Sequence, residues 1–125
     1  MNVVDSSAWI EFFNGGPNAT FFEPAILATE ELVVPSMVLL EVYKHIRRHQ
    51  GRDQALSAIA GMRQGRVEDL DGRTALFAGE LGVEMKLPLA DSVILATARL
   101  NDAVLWTQDS DFEGLDDVRF KPKKS

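Results

Sequence analysis

Short apolar runs rich in β-branched residues recur along the chain and alternate with longer stretches of helical pattern. NVV (2–4), LVVP (32–35), RVEDL (66–70), AVLWT (103–107) and DVRF (117–120) have the length and composition of strands. Between them the pattern predicts six helices. The first holds Trp9, Ile10, Phe12 and Phe13 and ends at Asn14-Gly15-Gly16; the second runs from Ala19 to Thr29. The third is capped by Ser36 and runs to about Gln50, and the fourth covers about Asp53 to Gln64. The last two run from Gly72 to Met85 and onward from Leu89. Strands that alternate with helices can be joined in parallel, with the helices covering the sheet. The expected fold class is therefore α/β, with a central, mostly parallel sheet of four or five strands.

At 125 residues the chain has the length of one ordinary domain, here 1–125, of which about residues 121–125 form a basic tail. The absence of cysteine excludes disulfides, thiolate catalysis and Cys-ligated zinc. No segment has the roughly 18 uninterrupted apolar residues of a membrane span. MNVVDSSAW lacks the basic region and long apolar stretch of a signal peptide, so the expected location is cytoplasmic. Asn18-Ala19-Thr20 matches a glycosylation sequon, which that location sets aside. The formal net charge is −6 with a pI near 4.8, so long-range electrostatics repel a polyanion. Two basic clusters can draw one in locally: Lys44, Arg47, Arg48 and Arg52, and the tail lysines Lys121, Lys123 and Lys124.

Four carboxylates stand where the chain is most apolar. Asp5 directly follows VV, Glu41 is the only charge of MVLLEVY, and Asp91 is the only carboxylate of LPLADSVILATARL. Asp109 lies two residues beyond AVLWT, with Asp111 close behind it. In a parallel sheet Asp5 and Asp109 fall at the carboxyl ends of strands, where ligands of open α/β folds bind. Helix capping accounts for Asp5, Asp91 or Asp109 taken singly, because negative charge is favoured at helix N-termini. It does not account for Glu41, more than a turn inside its helix, or for all four together. Two carboxylates about 5 Å apart repel by roughly 3 kcal/mol at an effective dielectric of 20, so a converging set calls for a cation.

Oxygen ligands alone select Mg²⁺ or Mn²⁺ over zinc. Such a cation, held by carboxylates with open positions, serves phosphodiester hydrolysis by activated water and needs no protein nucleophile. Ser6, Ser7 and Thr107 flank the acids and suit hydrogen bonds that orient the carboxylates or water. Neither histidine is near these segments in sequence, which disfavours a nucleophilic serine. His45 and His49, spaced i, i+4, can share a helix face, but Arg47 and Arg48 beside them repel a cation.

NVVDSSAWIEFF, VPSMVLLEVYK, LPLADSVILATARL and VLWTQDSDFEGL, taken in this order and spacing, resemble the PIN domain family, specifically its VapC-type toxin ribonucleases. The resemblance spans essentially the whole chain, though residues 51 to 85 carry little of it. It implies a three-layer α/β/α fold, Mg²⁺-dependent endoribonuclease activity in which Mn²⁺ can substitute, and homodimerisation. It also implies a cognate VapB-type antitoxin whose C-terminal segment covers the active site. Carried over by position, the family's acids fall on Asp5, Glu41, Asp91 and Asp109, with Asp5 and Asp91 the principal metal ligands. Thr107 matches the hydroxyl residue before the fourth acid, and Asp111 is an accessory acid. Lys44, Arg47 and Arg48, on the helix after Glu41, would guide the RNA backbone. Two other readings remain open. One is a catalytically silent PIN-fold RNA-binding module. The other is a phosphoacceptor signalling domain, against which stand Ser6-Ser7 after Asp5 and the lack of a lysine in TQDSDF.

Overall fold

The computed structural model describes residues 1–124. Five strands, β1 (Asn2–Val4), β2 (Leu32–Pro35), β3 (Arg66–Glu68), β4 (Val104–Thr107) and β5 (Val118–Phe120), form one parallel sheet in the order β3-β2-β1-β4-β5. Helices α1 (Ser6–Phe13), α2 (Ala19–Leu27), α3 (Ser36–Gln50), α4 (Arg52–Met62), α5 (Gly72–Met85) and α6 (Leu89–Leu100) flank it in a three-layer α/β/α arrangement. Of the basic tail, Ser125 lies outside the described residues. Among the described residues no helix is long and apolar enough to cross a membrane.

The strand order decides where a ligand can sit. From β1 the chain moves outward to β2 and then β3; after α5 and α6 it returns to the other side of β1 to form β4. The outward and returning connections diverge between β1 and β4, and in open parallel sheets the crevice beyond the carboxyl ends of such a strand pair is the binding position. Val4 pairs with Trp106 there, so Asp5 and Thr107 are the first residues past that pair. The central strands are apolar on both faces, with Val3, Val4, Val33, Val34 and Leu105 at 0% exposure. Burying each such side chain stabilises the fold by roughly 1.5–3 kcal/mol. Helix α6 is the most enclosed helix, buried from Ser92 through Ala98, and packs against β1, β2 and β4. Helix α1 is anchored by Trp9, 1% exposed, which stacks on Phe13 with ring centroids 5.6 Å apart.

The structure shifts some local expectations. Ser36 does not cap α3. Pro35, the last residue of β2, holds the N-cap position, and the Ser36 hydroxyl instead accepts the Leu70 N–H at 3.2 Å. β2 therefore runs directly into α3, because the fixed φ of proline suits both the strand end and the residue before a helix. RVEDL contracts to Arg66–Glu68, and the second helix stops at Leu27, followed by a 3-10 turn at Thr29–Glu31.

Candidate metal centre

Asp5 leaves β1 as the N-cap of α1 and is 2% exposed. One carboxylate oxygen, Oδ1, accepts the Ser6 N–H at 2.8 Å; the other, Oδ2, accepts the Ser7 hydroxyl at 2.8 Å and the Thr107 hydroxyl at 2.9 Å. The Thr107 hydroxyl also accepts the Asp109 N–H at 2.9 Å, so one side chain ties the ends of β1 and β4 together. Burial raises the Asp5 carboxyl above its ordinary value, and the hydrogen bonds from Ser7 and Thr107 oppose it. The Asp109 charge adds to the upward shift, while the Ser6 N–H lowers it.

Asp91, in the first turn of α6, meets Asp109 and Asp111 across the crevice. One carboxylate oxygen from each lies within 4.8 Å of the other two. Asp91 makes no capping bond at the start of α6, where Pro88 is the N-cap. Desolvation pushes its carboxyl up from 3.8 to about 8. The approach of the Asp111 carboxyl and the charges of Asp109 and Asp5 act in the same direction. Asp109 does act as a cap, accepting the Asp111 N–H at 2.9 Å at the head of the 3-10 turn Ser110–Phe112. Capping and convergence thus coexist at Asp5 and Asp109, whereas Asp91 shows convergence alone.

Glu41 stands on α3 beyond Ser6, whose hydroxyl donates to Glu41 Oε1 at 2.8 Å and lies 3.4 Å from Asp5 Oδ1. The Ser6 hydroxyl therefore bridges Glu41 and Asp5, while the tight group of three carboxylate oxygens is made by Asp91, Asp109 and Asp111. Lys44, Arg47 and Arg48 are exposed along α3. His45 and His49 stack with ring centroids 4.3 Å apart, and His49 Nδ1 lies 2.8 Å from the His45 carbonyl oxygen. Two residues that the sequence does not assign to the site also border it. Gln108, 6% exposed, reaches the Ser7 carbonyl at 3.3 Å, and Asn18, 1% exposed, donates to Gln108 Oε1 at 3.1 Å. Asn18 carries the sequon, and its burial removes it from modification. No local pattern points to this place for either residue, because the partners of their side chains lie 90 or more positions away.

The donor set fits a hard divalent cation. Every candidate ligand is a carboxylate oxygen, the cluster carries more negative charge than its surroundings tolerate, and hydroxyls rather than cations hold the acids in place. Asp91, Asp109 and Asp111 would hold such an ion, with Asp5 beside them.

The PIN domain family model matches residues 3–118. No curated protein matches the chain in sequence. Among solved structures, a toxin–antitoxin complex from Klebsiella pneumoniae is 24% identical, with a TM-score of 0.79 over 95% of this chain and 96% of that one. A VapC toxin from Mycobacterium tuberculosis, described as cleaving the sarcin–ricin loop, is 23% identical, with a TM-score of 0.75 over 95% and 99%. A DNA-bound VapBC from Salmonella typhimurium is 19% identical, with a TM-score of 0.74 over 97% and 96%. At these identities the likeness is one of fold.

Proposed function

The chain belongs to the PIN domain family, and from that membership and the geometry of its acids we propose that it is a Mg²⁺-dependent endoribonuclease, the toxin of a type II toxin–antitoxin pair. The observation that carries the proposal is the meeting of Asp91, Asp109 and Asp111 next to Asp5, in the crevice beyond the carboxyl ends of β1 and β4. The likeness to VapC toxins and VapBC complexes supports the toxin assignment and a VapB-type antitoxin as partner; the second partner in this reading, a second copy of the chain, rests on the family resemblance alone.

When bound, Mg²⁺ or Mn²⁺ supplies charge neutralisation at the scissile phosphate and hydrolytic water at neutral pH. The chain's own residues prepare the place. Ser6 N–H, Ser7 and Thr107 fix both oxygens of Asp5 and leave its carboxylate little freedom to turn. Asp91, whose carboxyl is pushed up to about 8, holds its proton at neutral pH and has to release it to serve as a ligand. Glu41, held by the Ser6 hydroxyl, is the remaining acid within reach of the crevice and can take a proton from the attacking water. Lys44, Arg47 and Arg48 add positive charge on the helix that carries Glu41.

The test is cleavage of a structured RNA by the purified chain in Mg²⁺ and in EDTA. The wild type should cut in Mg²⁺ only, Asp5→Asn should not cut, and Thr107→Val should be slower by about 10- to 100-fold, the usual effect of removing a hydrogen bond that orients a metal ligand. Equal cleavage by wild type and Asp5→Asn removes the site assigned around Asp5, and none by either removes the nuclease reading and leaves a binding module.

A further inference from the structure

The C-terminal end of the chain is fastened beside the acids by a buried amide. Asn18, in the loop between α1 and α2, donates from Nδ2 both to Gln108 Oε1 at 3.1 Å and to the Pro122 carbonyl at 2.9 Å. Its own N–H donates to Glu11 Oε2 at 2.7 Å. The Lys121 N–H donates to the Thr107 carbonyl at 3.0 Å, and its ammonium lies 5.7 Å from the centre of the Phe21 ring. Terminal residues normally fray unless tied down. Here a connected polar network, two members of it nearly fully buried, holds the backbone as far as Pro122.

The fastening sets the next two residues along clefts that border the site. Lys123 borders two clefts that share Ser7 and Gln108. One, of about 440 Å³, also takes in Asn14, His45 and Lys124; the other, of about 310 Å³, takes in Asp109 and Ser110. Glu11, the acid of the first cleft, has its carboxylate engaged by the Asn18 N–H. Burial keeps His45 below its ordinary value, aided by His49 and Arg48, so at neutral pH the two lysines are the cleft's standing positive charges. A polyanion approaching a chain of net charge −6 needs cations next to the acids. Lys123 shares the second cleft with Asp109, and Lys124 shares the first with Ser7, whose hydroxyl donates to Asp5.

We propose that the tail clamped by Asn18 is one wall of the substrate groove, and that Lys123 and Lys124 hold the phosphodiester backbone of the RNA strand there. The proposal rests on the nuclease reading and adds to it a path for the strand, past α1 and the tail. The experiment is a salt titration of binding to a single-stranded RNA oligonucleotide, in Mg²⁺ and in an Asp5→Asn background that prevents cleavage. The wild-type cleavage assay runs alongside. Lys123→Ala/Lys124→Ala should reduce the slope of log affinity against log salt by about 1.4, at roughly 0.7 for each phosphate no longer neutralised. Arg47→Ala/Arg48→Ala should reduce it less. Removal of residues 123–125, which leaves the Asn18 clamp intact, should reproduce the double-lysine result, and Asn18→Ala should raise KM for RNA with kcat less affected. If the wild type cleaves but the double-lysine variant and the truncation keep the full slope, the proposed path is wrong and the nuclease reading stands. If the wild type neither binds nor cleaves, the nuclease reading fails and the path with it.

Discussion

The Asp91 carboxyl loses its proton near 3.8 in the unfolded chain and at about 8 in the folded one, chiefly because burial disfavours its charge. Between those values the folded protein binds more protons than the unfolded one, so stability falls as pH rises through that window and levels off above it. At pH 7 the fall is still in progress. In EDTA the melting temperature of the wild type should therefore decline from pH 5 to pH 8 more steeply than that of Asp91→Asn, which cannot ionise there. Asp5 is raised in the same direction and is present in both proteins, so the variant should retain part of the slope. Parallel slopes in thermal melts across this range would remove the account of Asp91. The acids were legible in the sequence because each stands alone in an apolar segment or just past one, where an unpaired charge is costly. Which of them meet was not. Asp111 reaches the cluster because the Asp109 cap bends the chain into a 3-10 turn, whereas Glu41 is linked to Asp5 through the Ser6 hydroxyl. Asn18 gave no signal at all beyond a sequon that its burial makes irrelevant.

Among the elements, strands and helices were readable because the strands are short β-branched runs and the helices carry longer apolar periodicity. The order of the strands was not readable, because local pattern does not say on which side of β1 the returning chain settles. Nor was the last connection: β4 and β5 are parallel, yet only residues 108–117 and one 3-10 turn join them. Arg119 lies over the Trp106 ring at 5.0 Å and fastens this edge. The pairing of α5 with α6 supports the cluster, since α6 presents Asp91, and two glycines of α5 probe it. A Cβ on Gly79 would meet nothing within 4 Å, whereas one on Gly82 would come 2.7 Å from Ser92 Oγ. That hydroxyl donates to the Pro88 carbonyl at 2.9 Å and is not free to turn away without losing the bond. Alanine gains about 1 kcal/mol over glycine in a helix interior, and overpacking costs about 1–3 kcal/mol. Gly79→Ala should therefore stabilise the protein by about 1 kcal/mol in urea unfolding. Gly82→Ala should be neutral or destabilising by up to about 2 kcal/mol. An equal gain at both positions would mean that α5 and α6 do not pack as closely as described.

At the scale of the molecule, a net charge of −6 and a cluster of acids both work against the compact state, and a divalent cation can relieve either. Their dependence on ions separates them. General self-repulsion is screened by any salt, with a Debye length of about 10 Å at 0.1 M ionic strength, so sodium and magnesium salts of equal ionic strength should relieve it to a similar degree. A built site binds the folded state alone and stabilises it by mass action, by about 2.7 kcal/mol when the ion is at 100 times its dissociation constant. Millimolar MgCl₂ should therefore raise the wild-type melting temperature well above that in NaCl of matched ionic strength. In Asp91→Asn/Asp109→Asn the two salts should act nearly alike, although that protein in EDTA should melt no lower than the wild type at pH 8, since two of the mutually repelling charges are gone. The pattern has a direct reading in a single set of melts. A magnesium effect that sodium reproduces in the wild type would assign the stabilisation to the charge of the whole chain and leave the acids at the ends of β1 and β4 without an ion to hold.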